Sequence, residues 1–360
     1  MDCADLPGIG YGDFSERLHK KALATRTPVS GAFELTFRCN LRCKHCYVGD
    51  ARGGGAPNGS ELSFKQWRSI FDQVADAGTL WVLLTGGDPL LHPDFEQIYT
   101  YVKRKGFIVQ LFTNGTLLTP RMLDLLAENP PFYIEISLYG LTQETYERVT
   151  GIPGSHARCM RGIEALLERG LPLQLKTMVM TLNRHELWDM QAYARNLGVK
   201  FRYDALIHGT LDGSLDVLKY RLSPADVVAI DWEDPERRAA FELMRQQLQS
   251  RKARELYLYT CGAGITSYRV DPSGLLGLCI ADRRCAFDLL KGSFMEGWEE
   301  YLFQFRYQYP KSSEYRCNVC PLIGLCGQCP AWAEMESGDP EIIVPYLCEV
   351  GHLRGERLSI

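Results

Sequence analysis

The 360 residues predict an α/β fold, a partial (β/α)6 TIM-type barrel followed by a small cysteine-rich domain. Three observations predict it. Short apolar runs alternate with amphipathic stretches from about residue 31 to 206. Each run is apolar along most of its length, as a parallel strand covered by helices requires. And eight of the thirteen cysteines lie between Cys261 and Cys348, where the alternation has stopped.

The elements follow in order. Residues 1–30 read as an N-terminal extension. Strands are expected over 33–37, 80–85, 108–113, 133–138, 173–179 and 200–206, separated by amphipathic helices over 64–77, 94–105, 120–128, 162–169 and 186–197. The barrel therefore spans 31–206, and function is expected at the C-terminal ends of its strands. Gly53-Gly54-Gly55 reads as a loop. Residues 207–259 form a linker: Gly209 and Gly213 mark a loop, Ser223-Pro224 a turn or helix start, and 234–256 a charged helix. Residues 260–360 make the cysteine-rich domain, expected to have little hydrophobic core of its own.

Composition narrows the function. With 46% hydrophobic and 23% charged residues the chain is an ordinary globular protein, able to bury a sizeable core. A net charge of −4 leaves no basic footprint for nucleic acid. No apolar run reaches the roughly 18 residues of a membrane span, and Met1-Asp2-Cys3-Ala4-Asp5 lacks the layout of a secretion signal. The expected location is the cytoplasm, where thiols stay reduced, so the odd count of cysteines points to metal or cluster binding. Cys3 and Cys159 read as bystanders.

Three constellations carry chemistry. Cys39-Asn-Leu-Arg-Cys43-Lys-His-Cys46 places three thiols on the loop after the first strand. A structural zinc site takes four ligands and a cubane cluster normally four thiolates, so a trio leaves one position for something else. A zinc knuckle completed by a distant ligand is the alternative. Thr85-Gly86-Gly87-Asp88-Pro89 follows an apolar strand; paired glycines allow a ligand close to the backbone, and a tight βα turn would use them equally well. Cys317-x-x-Cys320-x-x-x-x-x-Cys326-x-x-Cys329 has zinc-site spacing by itself. Cys261, Cys279 (five residues after Gly274) and Cys348 extend that set.

Cys39, Cys43 and Cys46 together with Gly86-Gly87-Asp88-Pro89 resemble the radical SAM superfamily, which usually shows Gly-Gly-Glu-Pro in the second motif. The resemblance implies a 4Fe–4S cluster on the three cysteines, with the amine and carboxylate of S-adenosylmethionine (SAM) on its open iron. One electron then cleaves the sulfonium to a 5′-deoxyadenosyl radical, the protein orienting the cofactor and excluding water. His45 matches the aromatic position near the adenine. Gly86, Gly87 and Asp88 match the methionine-amine site. Ser137 matches a strand-end polar position that contacts ribose or carboxylate, and Asn114 lies at the same rim, where a turn-forming asparagine is the competing reading. Asp88 is one methylene shorter than the usual glutamate, and Thr150 stands where many relatives carry arginine.

The C-terminal cysteines resemble the SPASM extension of these enzymes, which implies two auxiliary Fe–S clusters. Cys317, Cys320, Cys326 and Cys348 would hold one. Cys261, Cys279 and Cys329 would hold the other, its fourth position taken by Cys285 or left open. Asp282, Tyr139 and Lys176 are candidate catalytic residues; Lys176 is a lysine inside an apolar strand pattern. Sulfatase-maturing relatives place aspartate directly after the cysteine matching Cys279, where this chain has Ile280.

The expected function is oxidative modification or crosslinking of a side chain in a ribosomally made precursor peptide. The alternatives are a small-molecule enzyme of haem or cofactor biosynthesis and, further off, a sulfatase-maturase-like enzyme. A mere electron carrier would need neither the glycine motif nor six barrel units. Expected partners are the peptide, a separate leader-binding protein, since only some 30 residues precede the barrel, and an external donor such as flavodoxin or ferredoxin. Neither nucleic acid nor membrane is expected.

Overall fold

The computed structural model describes residues 10–49, 61–250, 257–308, 312 and 315–360. Cys3, the 53–55 glycines and the last residues of the 234–256 helix lie outside that set.

One nine-stranded sheet organises the chain, in the order β6-β5-β4-β3-β2-β1-β7-β8-β9. Its barrel strands are β1 (Ser30–Thr36), β2 (Trp81–Gly86), β3 (Ile108–Thr113), β4 (Tyr133–Ser137), β5 (Leu173–Met178) and β6 (Lys200–Asp204), all paired in parallel. Phe33, Leu84, Leu111, Ile134 and Leu173 share a rung across five strands, and all are buried in the main apolar cluster. Because successive side chains alternate faces, the next residues along, Glu34, Thr85, Phe112, Glu135 and Gln174, project to the opposite face, the barrel interior.

The helices cover the apolar face. After α1 (Tyr11–Thr25) come α2 (Phe64–Asp76), α3 (Phe95–Arg104) and α4 (Pro120–Glu128), the last with Pro120 in its first turn and Thr119 accepting from Met122 N–H at 3.3 Å. Between β4 and β5 the sequence predicts one helix. The structure has two, α5 (Gln143–Thr150) and α6 (Ser155–Glu168), split at Gly151 and Gly154, which both adopt positive φ. α7 (Leu187–Asn196) follows β5. The linker holds α8 (Pro224–Glu233), which starts at the Ser223-Pro224 pair read as a turn or helix start, and α9 (Pro235–Ser250), within the expected 234–256 helix; Pro235 cannot continue the helix before it. Buried Asp231 of α8 takes Arg237 at 2.9 Å and Arg354 at 2.7 Å, tying the linker to the C-terminal helix.

The cysteine-rich segment does not stand apart from the barrel. β7 (Ser267–Val270) pairs in parallel with β1, and β8 (Leu275–Gly277) and β9 (Phe287–Asp288) extend the sheet antiparallel. Tyr268, Val270, Leu276, Leu278, Phe294 and Trp298 join the same apolar cluster as the barrel strands. These side chains pack into the core of the barrel; the strands that carry them were not legible, because four- and two-residue strands leave no readable period. The helices here are α10 (Phe294–Glu296), α11 (Phe303–Tyr307), α12 (Ile323–Cys326), α13 (Pro330–Ser337) and α14 (Pro345–Arg357). The N-terminal extension also docks here: Trp298 Nε1 donates to Arg26 O at 3.0 Å, and Arg26 Nε to Gly264 O at 3.2 Å. Among the described residues no helix is long and apolar enough to cross a membrane.

Candidate cluster and cofactor site

The cysteine trio follows β1 on a loop held by backbone hydrogen bonds at both ends. At its start, Thr36 O accepts from Gly87 N–H at 2.7 Å and Arg38 O from Asp88 N–H at 2.9 Å. This close approach explains the glycine pair. A Cβ on Gly86 would sit 2.1 Å from Thr36 O, and one on Gly87 2.3 Å from Arg38 O; Gly86 also has φ of +139°. Further along, Arg42 N–H donates to Thr150 O at 2.8 Å and Lys44 N–H to Val149 O at 2.9 Å. Those carbonyls end α5 and have no partner within the helix, so the loop satisfies the helix terminus and is fixed by it.

Around this loop the sequence-predicted residues converge. Tyr139, just past β4, meets the His45 ring edge-to-face with centroids 4.8 Å apart. Burial pushes its hydroxyl well above the ordinary tyrosine range, reinforced by Cys43, partly offset by the Ser137 hydroxyl, and raised again by Cys46 and Cys39. One ring thus feels all three thiols. Burial likewise pushes the Cys39 thiol up to about 11, with Leu41 N–H opposing and Asp88 and Cys46 adding to the shift. Asn114 is more than a turn former. Its Nδ2 lies 2.8 Å from Asn40 Oδ1 and 3.9 Å from Cys39 Sγ, while its Oδ1 accepts from Thr116 N–H at 2.9 Å.

Asp88 has a structural task that the sequence did not announce. The carboxylate is fully buried; Oδ2 accepts from Thr113 Oγ1 at 2.8 Å and Asn114 N–H at 2.9 Å, and Oδ1 from Leu90 N–H at 3.1 Å. It clamps the end of β2 to the end of β3. Desolvation pushes its pKa up to about 6 despite these bonds. A carboxylate has about four acceptor positions, so one remains on Oδ1 for an ammonium.

The C-terminal cysteines fall into two groups. The Cys329 thiol feels Cys261 and Asp282, and the Cys279 thiol feels Asp282 and Cys329; burial pushes Cys279 up to about 12. Asp282 is buried at their centre, with Oδ2 accepting from Tyr259 Oη at 2.6 Å and Oδ1 from Arg284 and Cys285 N–H at 3.0 and 3.2 Å. Cys285 is fully buried in the apolar cluster, where its thiol feels Asp282, Arg269 and Arg284. In the second group, Cys326 feels Cys317 and Cys320. Cys348 is one helical turn before Gly351, where a Cβ would come within 2.6 Å of Cys326 Cβ, so α14 brings it to the same group. Cys159, outside these groups, is buried with its thiol against Tyr146.

Thiol donors in these numbers suit iron–sulfur clusters. Among the described residues no three His, Cys, Asp or Glu side chains are drawn together tightly enough to chelate a single metal ion. A cubane, whose ligands bind at its corners, requires wider spacing than one ion does.

Two arginines that sequence reasoning missed organise the region. Arg269 is 1% exposed and donates to the carbonyls of Cys279, Asp282, Leu275 and Cys285 at 3.1–3.4 Å, while pairing with buried Asp271 at 3.4 Å. It shapes the 279–285 loop. Arg269→Met should cost about 3–5 kcal/mol by stranding the Asp271 charge, read in denaturant unfolding, with iron lost from the C-terminal segment. A variant as stable and as iron-rich as the parent would refute this role. That loop delivers Arg283 into the barrel, where Nη2 donates to Glu34 Oε1 at 2.8 Å and Nη1 meets Oε2 at 2.8 Å. Tyr47, directly after Cys46, donates to the same Glu34 Oε1 at 3.5 Å. Arg283 thereby links the two cysteine loops. Only the signal of an arginine near Cys279 and a glutamate within an apolar strand could have hinted at it.

Known proteins resemble this chain along most of its length. The family model described as the radical SAM superfamily matches residues 33–194. The AdoMet-dependent heme synthase of Methanosarcina barkeri is 30% identical over 351 residues, covering 89% of this chain and 97% of that protein. The antilisterial bacteriocin subtilosin biosynthesis protein AlbA of Bacillus subtilis is 28% identical, covering 84% and 67%. The crystal structure of Streptococcus suis SuiB bound to precursor peptide SuiA aligns with a TM-score of 0.70 at 17% identity, covering 97% of this chain and 83% of that one. This last likeness is one of fold.

Proposed function

The chain belongs to the radical SAM superfamily, and on that premise we propose that it oxidatively modifies or crosslinks a side chain of a ribosomally made peptide. The observation that carries the reading is the loop of Cys39, Cys43 and Cys46, bonded at its start to Gly87 and Asp88 N–H and meeting the Tyr139 ring through His45 at 4.8 Å. When bound, the 4Fe–4S cluster and SAM supply a radical able to take hydrogen from an unactivated carbon.

The chain's own residues do the rest. Cys39, Cys43 and Cys46 hold the cluster. His45 lies by the adenine, Gly86, Gly87 and Asp88 receive the methionine amine, and Ser137 reaches the ribose or carboxylate. Asn114 holds the Cys39 end of the loop in register with β3. Cys317, Cys320, Cys326 and Cys348 hold one auxiliary cluster. Cys261, Cys279 and Cys329 would hold the other, which would supply an electron acceptor for a net oxidation. An external donor such as flavodoxin or ferredoxin supplies the first electron.

The similarity to the subtilosin biosynthesis protein AlbA along 84% of this chain supports a peptide substrate. A cleft lined by Leu211, Asp282, Arg283, Arg284, Glu334 and Met335 opens between the loop after β6 and the 281–284 turn. The similarity to a heme synthase along nearly the whole length favours a second reading, a tetrapyrrole substrate.

Reduced holoenzyme with SAM and the peptide encoded by a short reading frame beside its gene should separate the two. A crosslink leaves the peptide lighter by two hydrogens in mass spectrometry. An unchanged peptide alongside consumption of an added iron–coproporphyrin would favour the second reading.

A further inference from the structure

The loop that carries the cysteine trio is bonded to the barrel along its backbone, through Thr36, Arg38, Arg42 and Lys44. Its two ends share a further contact, made by a side chain from the C-terminal segment. Phe37, two residues before Cys39, is buried, and the Arg283 guanidinium carbon lies 5.5 Å from the centre of its ring. Tyr47, directly after Cys46, donates to Glu34 Oε1 at 3.5 Å, and Arg283 Nη2 donates to the same oxygen at 2.8 Å. One guanidinium thus meets the trio's loop at its entry and, through Glu34, at its exit.

This contact is not easily exchanged for solvent. The Glu34 side chain is fully buried, and that of Arg283 is only 21% exposed. Withdrawing the guanidinium would strand a carboxylate away from water, which is the costly way to break a buried pair. Arg283 has little freedom to withdraw, because the turn that carries it is anchored on both sides. Asp282 N–H donates to Cys279 O at 3.2 Å, and the Asp282 carboxylate accepts from Arg284 and Cys285 N–H. Arg269 holds the carbonyls of Cys279, Asp282 and Cys285. Arg283 stands four residues after Cys279, so what fixes that thiol also fixes the guanidinium.

We propose that Arg283 is a positioning residue through which the set of Cys261, Cys279 and Cys329 holds the trio's loop in the form that binds SAM, so that SAM affinity depends on the auxiliary site being loaded. This rests on the cluster sites proposed above. Two sites coupled through one packed element typically change each other's affinity by about 5–150-fold.

The test measures SAM affinity in reconstituted, dithionite-reduced holoenzyme from the change SAM causes in the EPR spectrum of the trio's cluster, with iron counted in each sample. Arg283→Met should weaken SAM binding by about 5–150-fold, while iron stays at about twelve per chain. Combining Glu34→Gln with Arg283→Met removes the stranded charge. The pair should regain the parent's resistance to denaturant but not its SAM affinity. Recovery of both shows that Arg283 only neutralises Glu34, and overturns the proposal. Cys279→Ala with Cys329→Ala, which empties the auxiliary site, should weaken SAM binding by a similar factor in the parent and add little to Arg283→Met. Losses that add in full mean that the two act independently, and overturn it as well. If the reduced parent shows no SAM-dependent change, the proposed function fails; if it does and Arg283→Met binds SAM as the parent does, only this inference fails.

Discussion

Replacing Cys39, Cys43 and Cys46 together by alanine should lower 5′-deoxyadenosine release from SAM to background in dithionite-reduced protein. Iron should fall from about twelve to about eight per chain, four for each cubane, while the absorbance of the C-terminal clusters persists. The fold gives reason to expect a clean loss of function. The loop is fixed through Arg42 and Lys44 N–H to the end of α5 and through Arg38 O to Asp88 N–H, none of which needs a thiol. Release that survives the triple change would show that the trio does not hold the reactive cluster.

The second large effect belongs to the glycine pair. Gly86→Ala forces a side chain onto a backbone with φ of +139° and places its Cβ 2.1 Å from Thr36 O. Strain and overpacking together should cost about 3–6 kcal/mol, a large share of the 5–15 kcal/mol that typically holds a domain together. Relief requires β1 and β2 to part, which breaks the bonds from Gly87 N–H to Thr36 O and from Asp88 N–H to Arg38 O and frees the cysteine loop. Gly106→Ala is the comparison, since its φ of +85° is strained but nothing lies within 4 Å of the added carbon. It should lose only about 1–2 kcal/mol. Equal loss in the two variants, by denaturant unfolding of the iron-free protein, would show that the approach of β1 to β2 does not demand glycine.

Much of this site is local in sequence and was legible there. Cys39, Cys43 and Cys46 fall within eight residues, so spacing alone exposes a missing ligand. The barrel strands are short apolar runs, and the six expected segments overlap β1 to β6 closely. The seventh parallel strand, β7, was not legible. Ser267–Val270 is four residues long and gains its identity only by pairing with β1 more than 230 positions earlier. Between β4 and β5 the expected helix over 162–169 covers only the second half of α6; α5, eight residues ended by Gly151, is too short to show a readable period.

The sequence by itself determined the donor chemistry and the succession of barrel strands along the chain, since thiol spacing and apolar period are properties of neighbouring residues. The tertiary structure alone decided which charges meet. Glu34 and Arg283 are 249 positions apart, and Glu135 of β4 meets both Arg202 of β6 and, at 3.8 Å, Lys176 of β5. In the same way Asp88, legible as a ligand, became a clamp once the fold brought Thr113 and Asn114 to its second oxygen. Charge pairing inside a barrel depends on which strands lie side by side and on which residues share a rung. No window of sequence contains that information.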